Sequence, residues 1–182
     1  YSSLFSFSLQ SWLNLPETFL SKRDRLVITI YGPYDIWLSR LRLICKYLRE
    51  THGFQDSFPV MDRGDFRNQN ELEADQVYEM RKSYYFLELS HVNVFVFYCN
   101  AHSQSADIEF KHVCDNLPQK ISNSIVMRDS SCNMGRLFEG EIIHHKIRCE
   151  LFNGRSVDPE RGISELVNAF CLSVLKREFY NI

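Results

Sequence analysis

Val92 to Tyr98, VNVFVFY, is an almost unbroken apolar and aromatic run. A strand that is hydrophobic on both faces belongs inside a parallel sheet with helices packed above and below it. A short polar turn follows, Cys99 to Ser105, and Ala106 to Cys114 then opens at helical spacing. A strand that ends in a polar turn and feeds a helix aims the side chains of the helix start into the crevice beyond the strand. Glu109 is one of those side chains.

The rest of the chain repeats the alternation. Arg25 to Tyr31 is a β-branched strand bounded by Gly32-Pro33, and Asp35 to Glu50 places Trp37, Leu38, Leu41, Ile44, Cys45 and Leu48 on one helical stripe. Gly53 follows in a capping position. Phe58 to Met61 reads as a second strand, and Glu71 to Leu89 as a helix with Val77, Met80, Tyr84 and Leu87 inward. In the helix after the central strand, Ile108, Phe110, Val113, Cys114 and Leu117 form the stripe, and Pro118 stops it. Ile121 to Met127 is a fourth strand, Met134 to Ile143 a short helix, and Lys146 to Phe152 a fifth strand with Ile147, Cys149 and Leu151 on one face. Asp158-Pro159 starts a last helix that turns Ile163, Leu166, Val167, Phe170, Cys171 and Val174 inward.

Strands alternating with helices imply right-handed crossovers and a doubly wound α/β fold. The expectation is a five-stranded parallel sheet in the flavodoxin-like order 2-1-3-4-5, spanning residues 25–182 as a single domain, with residues 1–24 as an N-terminal appendage. In that order the chain changes direction between strands 1 and 3, where ligands settle. The Tyr31-Gly32-Pro33-Tyr34 turn and the Cys99 to Glu109 segment meet there.

Composition narrows the partners. A formal net charge of −2 offers nothing for a polyanion, so no nucleic-acid partner is expected, and no stretch approaches the apolar length that spans a bilayer. Tyr1 to Leu13 is rich in Ser, Phe and Leu but has no basic region before it, a poor fit to a secretory signal. Residues 1–24 are expected to pack on the domain or on a partner. The six cysteines, Cys45, Cys99, Cys114, Cys132, Cys149 and Cys171, never reach a C-x-x-C spacing, and several fall at apolar positions. Reduced thiols and a cytoplasmic protein follow.

Each candidate site residue has two readings. Glu109 is either a nucleophile for an anomeric carbon or an acid that complements the dipole at a helix start. Tyr31-Gly32-Pro33-Tyr34 is either a pocket wall with stacking faces and hydroxyls or a strand-ending turn. Asp62 and Asp65 either bind ribose hydroxyls and help a base depart, or solvate a loop. Tyr84 and Tyr85 read as core residues with polar tips. Metal patterns fail at this level. Glu109-x-x-His112 has no second copy, and Glu141, His145 and Cys149 would align only in a helix where a strand is expected. No metal or cofactor is expected, and no P-loop or G-x-G-x-x-G pattern exists.

Two motifs carry a resemblance. Ile28-Thr-Ile-Tyr31 leading into Gly32-Pro33-Tyr34, and Val92 to Tyr98 followed by Ser105-Ala-Asp-Ile-Glu109-Phe, resemble in order and separation the first strand and the nucleophile segment of nucleoside 2-deoxyribosyltransferases. The likeness covers residues 25–128. It implies a flavodoxin-like domain that cleaves an N-glycosidic bond of a nucleoside or nucleotide, with Glu109 as nucleophile and Tyr31 and Gly32 lining the pocket. Asn93 stands near the place of that family's strand Asp, and Ala106 and Asp107 stand where it usually has Gly. The same architecture with a catalytic Glu is similar to Toll/interleukin-1 receptor-like domains that hydrolyse NAD, and a non-catalytic binding module on this fold is the further alternative. Related enzymes complete their sites across subunits, which implies a homodimer.

Overall fold

Five strands lie parallel in the order β2-β1-β3-β4-β5. They are β1 (Ile28–Tyr31), β2 (Ser57–Pro59), β3 (Val92–Phe97), β4 (Ser124–Asp129) and β5 (Arg148–Phe152) in a computed structural model that describes residues 22–64, 75–99, 101 and 104–180. Among the described residues five α-helices flank the sheet: α1 (Leu38–Glu50), α2 (Asp75–Leu89), α3 (Gln104–Asn116), α4 (Arg136–His145) and α5 (Pro159–Tyr180). The doubly wound α/β fold expected from the alternation is the fold observed. Among the described residues no helix is long and apolar enough to cross a membrane.

Strand alternation divides the core in two. Ile28, Ile30, Val92, Val94, Val96, Ile125 and Met127 pack under α1 and α5, while Tyr31, Phe95, Phe97 and Val126 pack under α2, α3 and α4. Every residue of β1 and β3 is buried, and β5 at the edge is half open. That difference explains why the central strands read as continuous apolar runs and the edge strand as an alternation. Truncating a fully buried ring such as Phe95 would cost about 3–5 kcal/mol.

Local departures from the expected elements have physical causes. The second strand ends at Pro59, which has no N–H for a further ladder bond, and Val60–Asp62 turns as a 3₁₀ helix. Pro118 opens a 3₁₀ helix through Asn123, so β4 starts at Ser124 instead of Ile121. In α2 the buried side carries Tyr78, Lys82, Ser83, Phe86 and Leu87, while Val77 and Met80 are exposed. The polar Lys82 and Ser83 disguised the phase of that helix. Ile108 of α3 and Leu151 of β5, both expected inward, are exposed as well. Residues 1–21 of the expected appendage lie outside the described residues. Its last part packs on the domain, where Arg23 donates to the His52 carbonyl at 2.9 Å.

Candidate active site

The turn after β1 delivers the first wall. Gly32 lies so close to its neighbours that a Cβ there would sit 3.0 Å from the Leu41 side chain and 3.2 Å from the Val96 carbonyl oxygen. This close approach seats the turn against β3, and Tyr34 then reaches over α3. Its hydroxyl donates to Glu109, 2.9 Å from Oε2 and 3.2 Å from Oε1. Ser105 Oγ, on the first turn of α3, donates to the Gly32 carbonyl across a long 3.5 Å. The two loops expected at the switch point are therefore in contact.

Helix α3 begins at Gln104, so Glu109 belongs to its second turn, and Asp107 is the first-turn acid. The dipole effect fades beyond the terminal turn, which weakens the helix-start explanation of Glu109. The residue is 4% exposed. Burial pushes its carboxyl up to about 7, against hydrogen bonds from Ser83 and Tyr34 that favour the charged form. Among the described residues no Lys, Arg or His forms an ion pair with it. Burial, then the charge of Glu109, raises the Tyr34 hydroxyl well above its ordinary range, so it stays a donor.

Glu109 opens onto a cavity of about 380 Å³ between α2 and α3, a volume suited to a small organic ligand. Its polar groups are Tyr34, Gln76, Glu79, Ser83, Ser105 and Glu109, and Met61, Met80, Tyr84 and Ile108 supply apolar surface. A second depression of about 240 Å³ shares Tyr84 and Ile108 and continues along His112. There the Tyr84 ring stacks on the His112 imidazole with centroids 3.7 Å apart. Burial lowers the pKa of that imidazole, against the charges of Glu88 and Asp115.

Of the residues expected in the site, Tyr34, Ser105 and Glu109 border the cavity. Tyr31 does not. It is fully buried in the core with its ring stacked on Phe95 at 5.2 Å, because β1 turns it under the helices. Gly32 and Pro33 are buried and act as the spacer that sets Tyr34. Asp62 is held by Arg42 through two 2.7 Å hydrogen bonds, which lower its pKa, and it does not border the cavity, while its neighbour Met61 does. Asp65 lies outside the described residues. Asn93 is buried at the opposite, amino end of β3, where its Nδ2 donates to the Leu87 carbonyl at 3.1 Å and ties down the end of α2. It does not border the cavity. Tyr84 packs half-buried against the core and also borders the cavity, as a core residue with a polar tip would, whereas Tyr85 is exposed.

The residues missed by sequence reasoning are on α2. Gln76, Glu79, Met80 and Ser83 follow one another at i, i+3, i+4 and i+7 and all border the cavity. That spacing was visible, but its mixed polarity gave no reason to prefer it over the apolar stripe. Compared with known proteins, the chain matches no family model and no curated sequence.

Proposed function

We propose that this protein cleaves or transfers an N-glycosidic bond of a nucleoside or nucleotide through Glu109. The observation that carries this is a desolvated carboxylate with no cation partner among the described residues, held by a tyrosine hydroxyl at the wall of a ligand-sized cavity. As the C1′–N bond breaks, its electron pair leaves with the base and positive charge grows at the anomeric carbon. The Glu109 anion offsets that charge and closes a C–O bond to C1′. Water or an acceptor then attacks the same carbon and frees the carboxylate. A buried anion gains most from this, since the developing cation removes the penalty that raised its pKa.

In this reading Glu79 serves the sugar hydroxyls or the proton needed by the departing base, and Met61, Met80, Tyr84 and Ile108 cover the base. The order of the two motifs, shared with nucleoside 2-deoxyribosyltransferases, supports the same chemistry by analogy. The depression beyond Tyr84 gives room past one nucleoside and favours NAD as the second substrate to try. In the cytoplasm the six free thiols would stay reduced. A homodimer belongs to the same proposal, and sedimentation of the whole chain against one lacking residues 1–24 checks whether that segment holds it.

The test is base release from a panel of deoxynucleosides, nucleotides and NAD, followed chromatographically for wild type and Glu109→Gln. Release by wild type and loss in the variant is expected. Equal release by both removes Glu109 from the mechanism. Tight binding with no turnover in either makes the protein a binding module.

A further inference from the structure

Cys114, Glu141 and His145 meet between α3 and α4, separate from the cavity between α2 and α3. One donor atom from each, the Cys114 sulfur, a Glu141 carboxylate oxygen and a His145 ring nitrogen, lies within 4.8 Å of the other two. Sequence spacing had set Glu141, His145 and Cys149 aside because a strand was expected there. The helix in fact runs through His145, so Glu141 and His145 share a face at i and i+4, with Glu141 Oε2 and His145 Nε2 3.2 Å apart. Cys149 belongs to β5, and the third donor comes from a different helix.

We propose that Cys114, Glu141 and His145 bind one divalent transition-metal ion, zinc by the chemistry of the donors. Thiolate, imidazole and carboxylate are the three protein ligand types of zinc, and softer donors such as these disfavour magnesium and calcium. Zinc bonds of about 2.0–2.3 Å in a tetrahedron put donors roughly 3.3–3.8 Å apart. The Glu141–His145 pair already stands at about that separation, and the sulfur needs a side-chain movement on the order of an ångström. Cys114 is 5% exposed while Glu141 and His145 are half-buried, so water reaches the fourth position from outside.

The neighbouring charges permit this. Lys111 Nζ stands 3.9 Å from Glu141 Oε1, but its closer partner is Asp115 at 3.1 Å, and its side chain is exposed. It keeps Asp115 when Glu141 turns to the metal. Binding forms a metal–sulfur bond and sends the Cys114 thiol proton to solvent, so affinity rises with pH. The site ties α3 to α4 and is independent of the chemistry proposed for Glu109.

Metal-free whole protein titrated with Co²⁺ alone, and then with Zn²⁺ alone, tests the site. One Co²⁺ per chain is expected, with a near-ultraviolet thiolate-to-cobalt band and the visible bands of a tetrahedral ion, all displaced by one equivalent of Zn²⁺. Cys114→Ser removes the thiolate band. Glu141→Gln, at a half-exposed position that leaves folding intact, weakens binding at least about tenfold, and so does His145→Ala. Cys149→Ser changes nothing. A thiolate band that survives in Cys114→Ser or disappears in Cys149→Ser overturns the proposal, as does the lack of stoichiometric binding by wild type.

Discussion

Among the described residues two glutamates are buried at the carboxyl end of the sheet, and each accepts a hydrogen bond from a tyrosine. Glu109 of α3 is 4% exposed and takes the Tyr34 hydroxyl at 2.9 Å, and Glu160 of α5 is 5% exposed and takes the Tyr98 hydroxyl at 3.1 Å. Their surroundings differ in one respect that decides their chemistry. Glu160 pairs with the Arg40 guanidinium, which itself lies over the Trp37 and Tyr98 rings at 4.9 and 4.4 Å. Glu109 has hydroxyls and a cavity. Glu160, in the first turn of its helix, is the helix-start acid that Glu109 resembled in sequence. A buried acid with its cation in place is a brace between elements, and one without is held ready for a charge that arrives from outside.

The comparison breaks first in catalysis. Glu109→Gln should lower base release by about 10³-fold or more, as expected when a nucleophile is lost. Glu160→Gln should leave release near wild type. In chemical denaturation the order reverses, because Glu160→Gln leaves Arg40 without its counter-charge. With the Arg40 side chain 29% exposed, a loss of roughly 2–3 kcal/mol is expected, below the full cost of breaking a deeply buried pair.

Glu109→Gln should stabilise the fold at alkaline pH. The carboxyl rises from an ordinary 4.5 to about 7 on folding, so between these values the native state binds more protons than the unfolded one. Stability from this group is complete below pH 4.5 and is lost as pH climbs through about 7. The neutral amide escapes that loss, by roughly 3 kcal/mol at pH 8, and the advantage should vanish near pH 4. Denaturation midpoints at the two pH values check it. The smallest effect belongs to Tyr34→Phe. Removing a hydroxyl that favours the anion should move the alkaline rise of activity upward by about half a unit to one unit, while Tyr98→Phe leaves that rise where it was.

The fold was legible because burial on both faces writes itself into continuous runs such as Val92 to Phe97, and helices wrote their stripes between them. Boundaries were less so. A single Pro59 ended one strand early, and the 3₁₀ turn from Pro118 delayed another. The site was half legible. Tyr34 and Glu109 follow from topology, since the switch point brings the ends of β1 and β3 together. Glu79 and Ser83 do not, because α2 buries Lys82 and exposes Val77 and Met80, the reverse of what hydrophobicity suggests. Asn93 and Tyr31 were misplaced for a simpler reason. A residue near a motif in sequence points to the core or to the far end of the sheet according to strand alternation, and burial at both ends looks alike in sequence.

The central claim is that Glu109 is a buried carboxylate with no compensating cation among the described residues. A carbon-13 NMR titration of the glutamate side-chain carboxyls of wild type and Glu109→Gln tests it directly. The expected result is one carboxyl resonance that titrates near 7 in wild type and is missing from the variant. If the resonance assigned to Glu109 by its loss in the variant titrates in the ordinary range, near about 4.3, the claim is contradicted.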